Sequence, residues 1–183
     1  SGRAEPPGRY RVLAPHLAQA LARVTPFAPI TDWLIFRWLS LVVALFIGHL
    51  YYRTWFDDGH AVVGNLITAA LLPLTFTNSW PNPDHFTELA LFTLAATCIA
   101  RGWWLAFIVS LAANAFNRET SGFLVLLYFL ASPLTWAHVG QTIAAGLLWL
   151  GITVGLRVQL GWAAYDPWQW RQNLGWLIPL PAG

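Results

Sequence analysis

The chain has 183 residues, of which 57% are hydrophobic and only 10% charged, against about 25% charged in an ordinary soluble domain. That composition excludes a surface built to face water on most sides. Ten basic residues, all arginine, and eight acidic ones leave a formal charge of +2, too small and too scattered for a nucleic-acid partner.

In chain order, residues 1–9 carry two Pro, two Gly and two Arg and read as an irregular tail. From Tyr10 to Val24, apolar positions Val12, Leu13, Leu17, Ala20, Leu21 and Val24 recur at helical spacing with Arg11, His16, Gln19 and Arg23 between them. This predicts an amphipathic helix lying in a membrane interface. Arg3, Arg9, Arg11 and Arg23 precede an apolar run too long and too aromatic for a cleavable signal core. Pro26 and Pro29 break the chain, and Thr31-Asp32 is expected to cap the next helix.

Residues 33–52 form the first spanning segment, flanked by Trp33 and Trp38 at one end and by Tyr51, Tyr52 and Trp55 at the other. A polar loop at 53–60 leads to a second span, 61–77, expected to kink at Pro73. A turn at 78–85 follows, with Asp84 as the expected cap. The runs 86–100, 103–116 and 122–132 are each too short to cross a full hydrocarbon core upright. They are expected to tilt, to re-enter, or to be covered by other protein. Residues 136–156 form a further full span with small residues Gly140, Ala144, Ala145, Gly151 and Gly155 suited to close helix packing. The segment from Arg157 onward holds five aromatics around Asp166 and Arg171 and reads as interfacial. Cys98 is the one cysteine, so no intrachain disulfide or thiolate cage exists, and its apolar setting reads as burial.

The fold class expected is therefore an all-α integral membrane protein of about six membrane-embedded helices, three short or re-entrant, plus the amphipathic helix. The expected organisation is 1–32 as tail and interfacial helix, 33–156 as membrane domain and 157–183 as Trp-rich tail. With six alternating segments, the arginines at 3, 9, 11, 23, 118, 157 and 171 share one face with Arg37 close to it, while Arg53 and Arg101 lie on the other. The positive-inside rule then puts the N-terminus in the cytoplasm, and the bacterial inner membrane is the expected location.

The most informative stretch is Asn117-Arg118-Glu119-Thr120, a polar island between apolar runs. The segment lengths make it a corner between two short helices rather than a charge stranded mid-span. Together with Tyr10-Arg11-Val12-Leu13-Ala14-Pro15 and with Pro73-Leu74-Thr75-Phe76-Thr77-Asn78-Ser79-Trp80 continuing to Pro83-Asp84 and Glu88-Leu89, it resembles the bacterial polytopic membrane proteins related to GT-C glycosyltransferases, which use lipid-linked sugars. The resemblance covers about residues 10–132. It implies a trimmed version of that domain, since the family's leading helix does not precede Tyr10 and the spans are too few. It also implies that the 78–85 turn and the 117–120 corner lie outside the cytoplasm, opposite to the arginine count.

For chemistry, a catalytic reading assigns Asp84, Glu88 and Glu119 as acid and base, with Arg118 and Arg11 holding a lipid phosphate bidentately. The structural alternative, which the sequence favours, is that Arg118 and Glu119 neutralise each other or their neighbours while Asn117 and Thr120 cap helix ends. His49 and His138, beside or within apolar segments, are the candidate pigment ligands. Asp57-Asp58-Gly59-His60 reads as a solvated loop, and no metal site is expected. The preferred reading is a non-catalytic accessory subunit whose partners are membrane lipids and other membrane subunits. A polyprenyl-phosphate-sugar glycosyltransferase and a pigment-binding subunit of a photosynthetic or electron-transfer complex stand as alternatives. No cofactor is predicted outright, with pigment or lipid open.

Overall fold

The computed structural model describes residues 11–75 and 84–161. The expected irregular tail at 1–9, most of the 78–85 turn and the Trp-rich segment beyond residue 161 lie outside them. Among the described residues the fold is all-helical: α1 (Leu13–Val24), α2 (Pro29–Tyr52), α3 (Asp58–Thr75), α4 (Asp84–Ala100), α5 (Trp104–Asn117), a 3-10 turn (Glu119–Ser121), α6 (Gly122–Leu130) and α7 (Trp136–Leu160).

Local signals account for most boundaries. α1 buries Ala14 and Ala18 against Phe36 of α2, so the helix forms as expected but the face it buries is the small-residue one, while Leu17 and Val24 of the expected apolar face are exposed. α2 begins at Pro29, where a missing N–H costs nothing. Thr31 and Asp32 therefore sit inside its first turn rather than capping it; Asp32 is instead buried and accepts from the Thr25 hydroxyl. α3 starts where the Asp57 carboxylate accepts the His60 N–H at 3.0 Å, and it runs through Pro73 for two more residues.

The turn from α4 to α5 closes with Gly102 N–H donating to Ile99 O and Trp103 N–H to Cys98 O. This pair of bonds puts Gly102 in the left-handed region, φ 69°, where a Cβ is disfavoured. α7 is capped by Thr135, whose hydroxyl accepts the His138 N–H.

Interhelical bonds fix the helix directions. Ser40 and Thr87 hydroxyls meet at 3.2 Å, midway along α2 and in the first turn of α4, and Arg101 Nη2 donates to Leu50 O at 3.2 Å near the ends of both helices. These two helices therefore run parallel. α3 returns along α2, held by a 2.7 Å bond between the Tyr52 and Thr68 hydroxyls. α5 returns along α4, and α6 runs antiparallel to α7, with Tyr128 donating to Gln141 at 2.6 Å. One end of the bundle thus gathers the start of α4, the 117–121 corner and the end of α7. Arg118 and Arg157 lie at the corner end, Arg53 and Arg101 at the other.

The packing is inverted relative to a water-soluble bundle. Fully buried positions are largely small or polar, including Ala14, Ala61, Ala95, Cys98, Ser110, Asn114, Asn117, Ser121 and Ala145. Large apolar side chains point outward, among them Trp38, Val42 and Phe46 on α2, Leu66 on α3, Leu105 and Val109 on α5, and Leu147 and Val158 on α7. Small residues let helices approach closely and hydroxyls bond between them. α2 and α7 are long and apolar enough to cross a membrane. The aromatic core between α5 and α6 is the exception to the small-residue rule: Phe107 stacks on Tyr128 at 4.8 Å between centroids, with Trp104 and His138 alongside.

The candidate polar corner

The buried face of α5 carries Phe107, Ser110, Leu111, Asn114, Ala115 and Asn117 at helical spacing. Its polar members become denser toward the C-terminal end. Ser110 Oγ donates to Phe107 O at 2.8 Å and Asn114 Nδ2 to Ser110 O at 2.9 Å, so both side chains satisfy themselves against their own helix. At Arg118 the backbone becomes extended, φ −159°, ψ 135°. The chain re-enters a helical conformation one residue later, which makes the corner.

Two ion pairs hold it. Arg118 Nη1 donates to Glu88 Oε2, one turn into α4, and Arg157 Nη2 donates to Glu119 Oε2 at 2.9 Å from the last turns of α7. All four side chains are one-third exposed or less. The Trp149 indole N–H adds a bond to Glu119 O at 3.1 Å. Gly122 allows this: a Cβ there would lie 2.8 Å from the Trp149 ring, inside van der Waals contact. α1 joins from the other side, where Val12 N–H donates to Phe116 O at 3.1 Å and so satisfies one of the carbonyls left open at the end of α5.

Three stretches singled out in the sequence thus converge here: Val12 from the first, Glu88 from the second, and 117–120. Arg118 and Glu119 do not pair with each other; each reaches a partner on another helix. The expectation that Asn117 and Thr120 cap helix ends is corrected. Thr120 is exposed and makes no cap, and Asn117 is 1% exposed with neither amide atom bonded. Of the acid-base candidates, Glu88 and Glu119 are both engaged by guanidinium groups. Asp84 opens α4, but its side chain lies outside the described part. Of the two arginines proposed for phosphate, Arg118 has given part of its donor fork to Glu88, and Arg11 lies next to Val12 with its Nε buried.

The histidines lie elsewhere. His138 Nε2 is 3.1 Å from Phe129 O; a carbonyl only accepts, so Nε2 carries the proton and is withdrawn from metal ligation. His49 is half-buried on α2, on a different pair of helices from His138. The 57–60 loop is exposed: His60 bonds Asp57, whose carboxyl is held below the usual range by the His60 backbone N–H and then by its ring, and Arg53 pairs with Asp58. Among the described residues no group of three His, Cys, Asp or Glu is placed to hold a metal.

Sequence reasoning missed Arg157, Trp149 and Gly122 as corner residues. A usable signal exists, because Trp149, Thr153 and Arg157 recur every four residues on the α7 face that also buries Ala145. Comparison with family models, with curated proteins and with solved structures gave no match.

Proposed function

We propose that the chain is a multi-pass membrane protein acting as a non-catalytic structural subunit of a larger membrane assembly. The observation carrying this reading is the corner itself. Its carboxylates and its central arginine are spent on one another across three helices, which braces α4, α5 and α7 and leaves little free chemistry for a substrate. Support for partners comes from α7, where, among the described residues, nothing lies within 4 Å of a Cβ placed on Gly140, Gly151 or Gly155. That small-residue face is open for another helix to approach. A shared descent with GT-C-like membrane domains belongs to the same proposal, as does residence in a bacterial cytoplasmic membrane with the N-terminus inside.

The decisive experiment is gentle detergent extraction followed by native mass spectrometry and an absorption spectrum. Co-purification with other membrane subunits at fixed stoichiometry is expected. Recovery only as a colourless, uncomplexed monomer would sink the subunit reading. If the purified protein transfers sugar from a polyprenyl-phosphate donor, and Arg118→Ala abolishes this while the helical spectrum is kept, the corner is an active site instead. Cysteine labelling at Ser79 and Thr120 from outside the cell tests the orientation: reaction there contradicts an internal corner.

A further inference from the structure

A groove of about 220 Å³ opens between α1 and the first turn of α2, lined by Pro15, Ala18, Gln19, Pro29, Asp32 and Trp33. Most of its wall is apolar, yet it contains a carboxylate. Asp32 is 3% exposed, and a buried ionised carboxylate needs several donors or a counter-charge. The donor it has is the Thr25 hydroxyl, 2.6 Å from Oδ1. That hydroxyl has one proton, and Leu21 O competes for it at 3.0 Å. Among the described residues no arginine or histidine forms an ion pair with Asp32. The start of α2 offers only the partial charge of a helix end.

The groove therefore suits a small cation that brings N–H donors. Trp33, stacked with Phe36 at 6.2 Å between centroids, supplies an aromatic surface of the kind that attracts ammonium groups. The Gln19 side chain at the edge supplies an amide oxygen. Around the groove, Leu17, Val24, Phe27 and Ile30 are exposed apolar residues, a surface suited to acyl chains rather than to water.

We infer that this groove binds the primary ammonium of a phosphatidylethanolamine headgroup, with Asp32 as its counter-ion and Trp33 beside it. An ammonium carries three N–H donors, enough to satisfy Asp32 and still reach Gln19. A trimethylammonium offers none, and an anionic headgroup meets a carboxylate of its own sign. This inference rests on the membrane reading above and adds a lipid of defined chemistry to it.

The test titrates the detergent-purified full chain with short-chain phosphatidylethanolamine, phosphatidylcholine and phosphatidylglycerol, counting retained adducts by native mass spectrometry. Phosphatidylethanolamine is expected to bind about tenfold tighter than either other lipid, and Asp32→Asn to remove about that factor, the size of one charge-assisted hydrogen bond. Ala22 lies on the α1 wall of the same groove, so Ala22→Trp, which fills it and leaves Asp32 in place, is expected to abolish the same adduct. Circular dichroism establishes that each variant is folded. If Asp32→Asn does not fold, Ala22→Trp alone decides. Equal retention of the three lipids, or undiminished phosphatidylethanolamine binding in folded Asp32→Asn or Ala22→Trp, overturns the inference. Displacement of the lipid by an equal concentration of free ethanolamine overturns the lipid as the source. Failure of the membrane reading has a separate signature, release of the protein from membranes by alkaline carbonate without detergent.

Discussion

The two ends of the bundle carry similar numbers of charges and use them differently. At the corner end, Arg118 reaches Glu88 and Arg157 reaches Glu119 across helices distant in sequence, and the side chains are 17–31% exposed. At the opposite end, Arg53 pairs with Asp58 and His60 with Asp57 inside one short loop, and those side chains are 49–76% exposed. The first arrangement ties tertiary structure together. The second decorates a turn that water already solvates. A pair's contribution follows from what it joins and how much water it excludes, not from its being a pair.

The contrast can be broken most severely at Arg157. Arg157→Leu leaves Glu119 partly buried without that partner, and we expect a loss of about 2–3 kcal/mol in detergent thermal unfolding, less than the roughly 3–5 for a fully buried pair because both side chains keep some exposure. Replacing Glu119 by Gln as well should recover part of it, and simple additivity of the two losses would refute the coupling. Next is Gly122→Ala, expected to cost about 1–3 kcal/mol by pushing the Trp149 ring away. Its companion readout is a red shift of Trp149 fluorescence, measured with the other tryptophans unchanged. Arg53→Ala at the far end should cost no more than about 0.5 kcal/mol and less in high salt.

The smallest effect concerns Asp57. Its carboxyl is lowered from the ordinary value of 3.8 by the His60 N–H and ring. The folded state therefore gains from the ionised form at all pH above the unfolded value and loses that gain as pH falls through the lower folded value. Asp57→Asn should consequently leave stability unchanged in its pH dependence between neutrality and pH 5, and flatten it only in the acid region below 3.8. Carboxyl NMR titration of Asp57 checks the direction directly.

Helix positions were legible because length and apolar runs carry them. Each expected segment has a helix within a few residues of it, and Pro29, Asp57, Gly102 and Thr135 mark boundaries through chemistry that is local. The start of α2 was misplaced because Thr31-Asp32 resembles a cap, while Pro29 is the stronger start and Asp32 turns inward toward Thr25. The corner was legible as a polar island, since apolar flanks make Arg118 and Glu119 conspicuous. Their partners were not legible. Nothing local in Glu119 points to Arg157, because the pair exists only once α5, α6 and α7 have packed. Gly122 was likewise silent, since the reason for its missing side chain is a ring on another helix.

The bond from Val12 N–H to Phe116 O bears on the order of biosynthesis. α1 leaves the ribosome well before α5, but the carbonyl it docks against belongs to the last turn of α5, and the braces that fix that turn include Arg157 near the end of α7. A helix made early is then among the last to find its seat. Until α5 arrives, α1 rests mainly on α2 among the described residues.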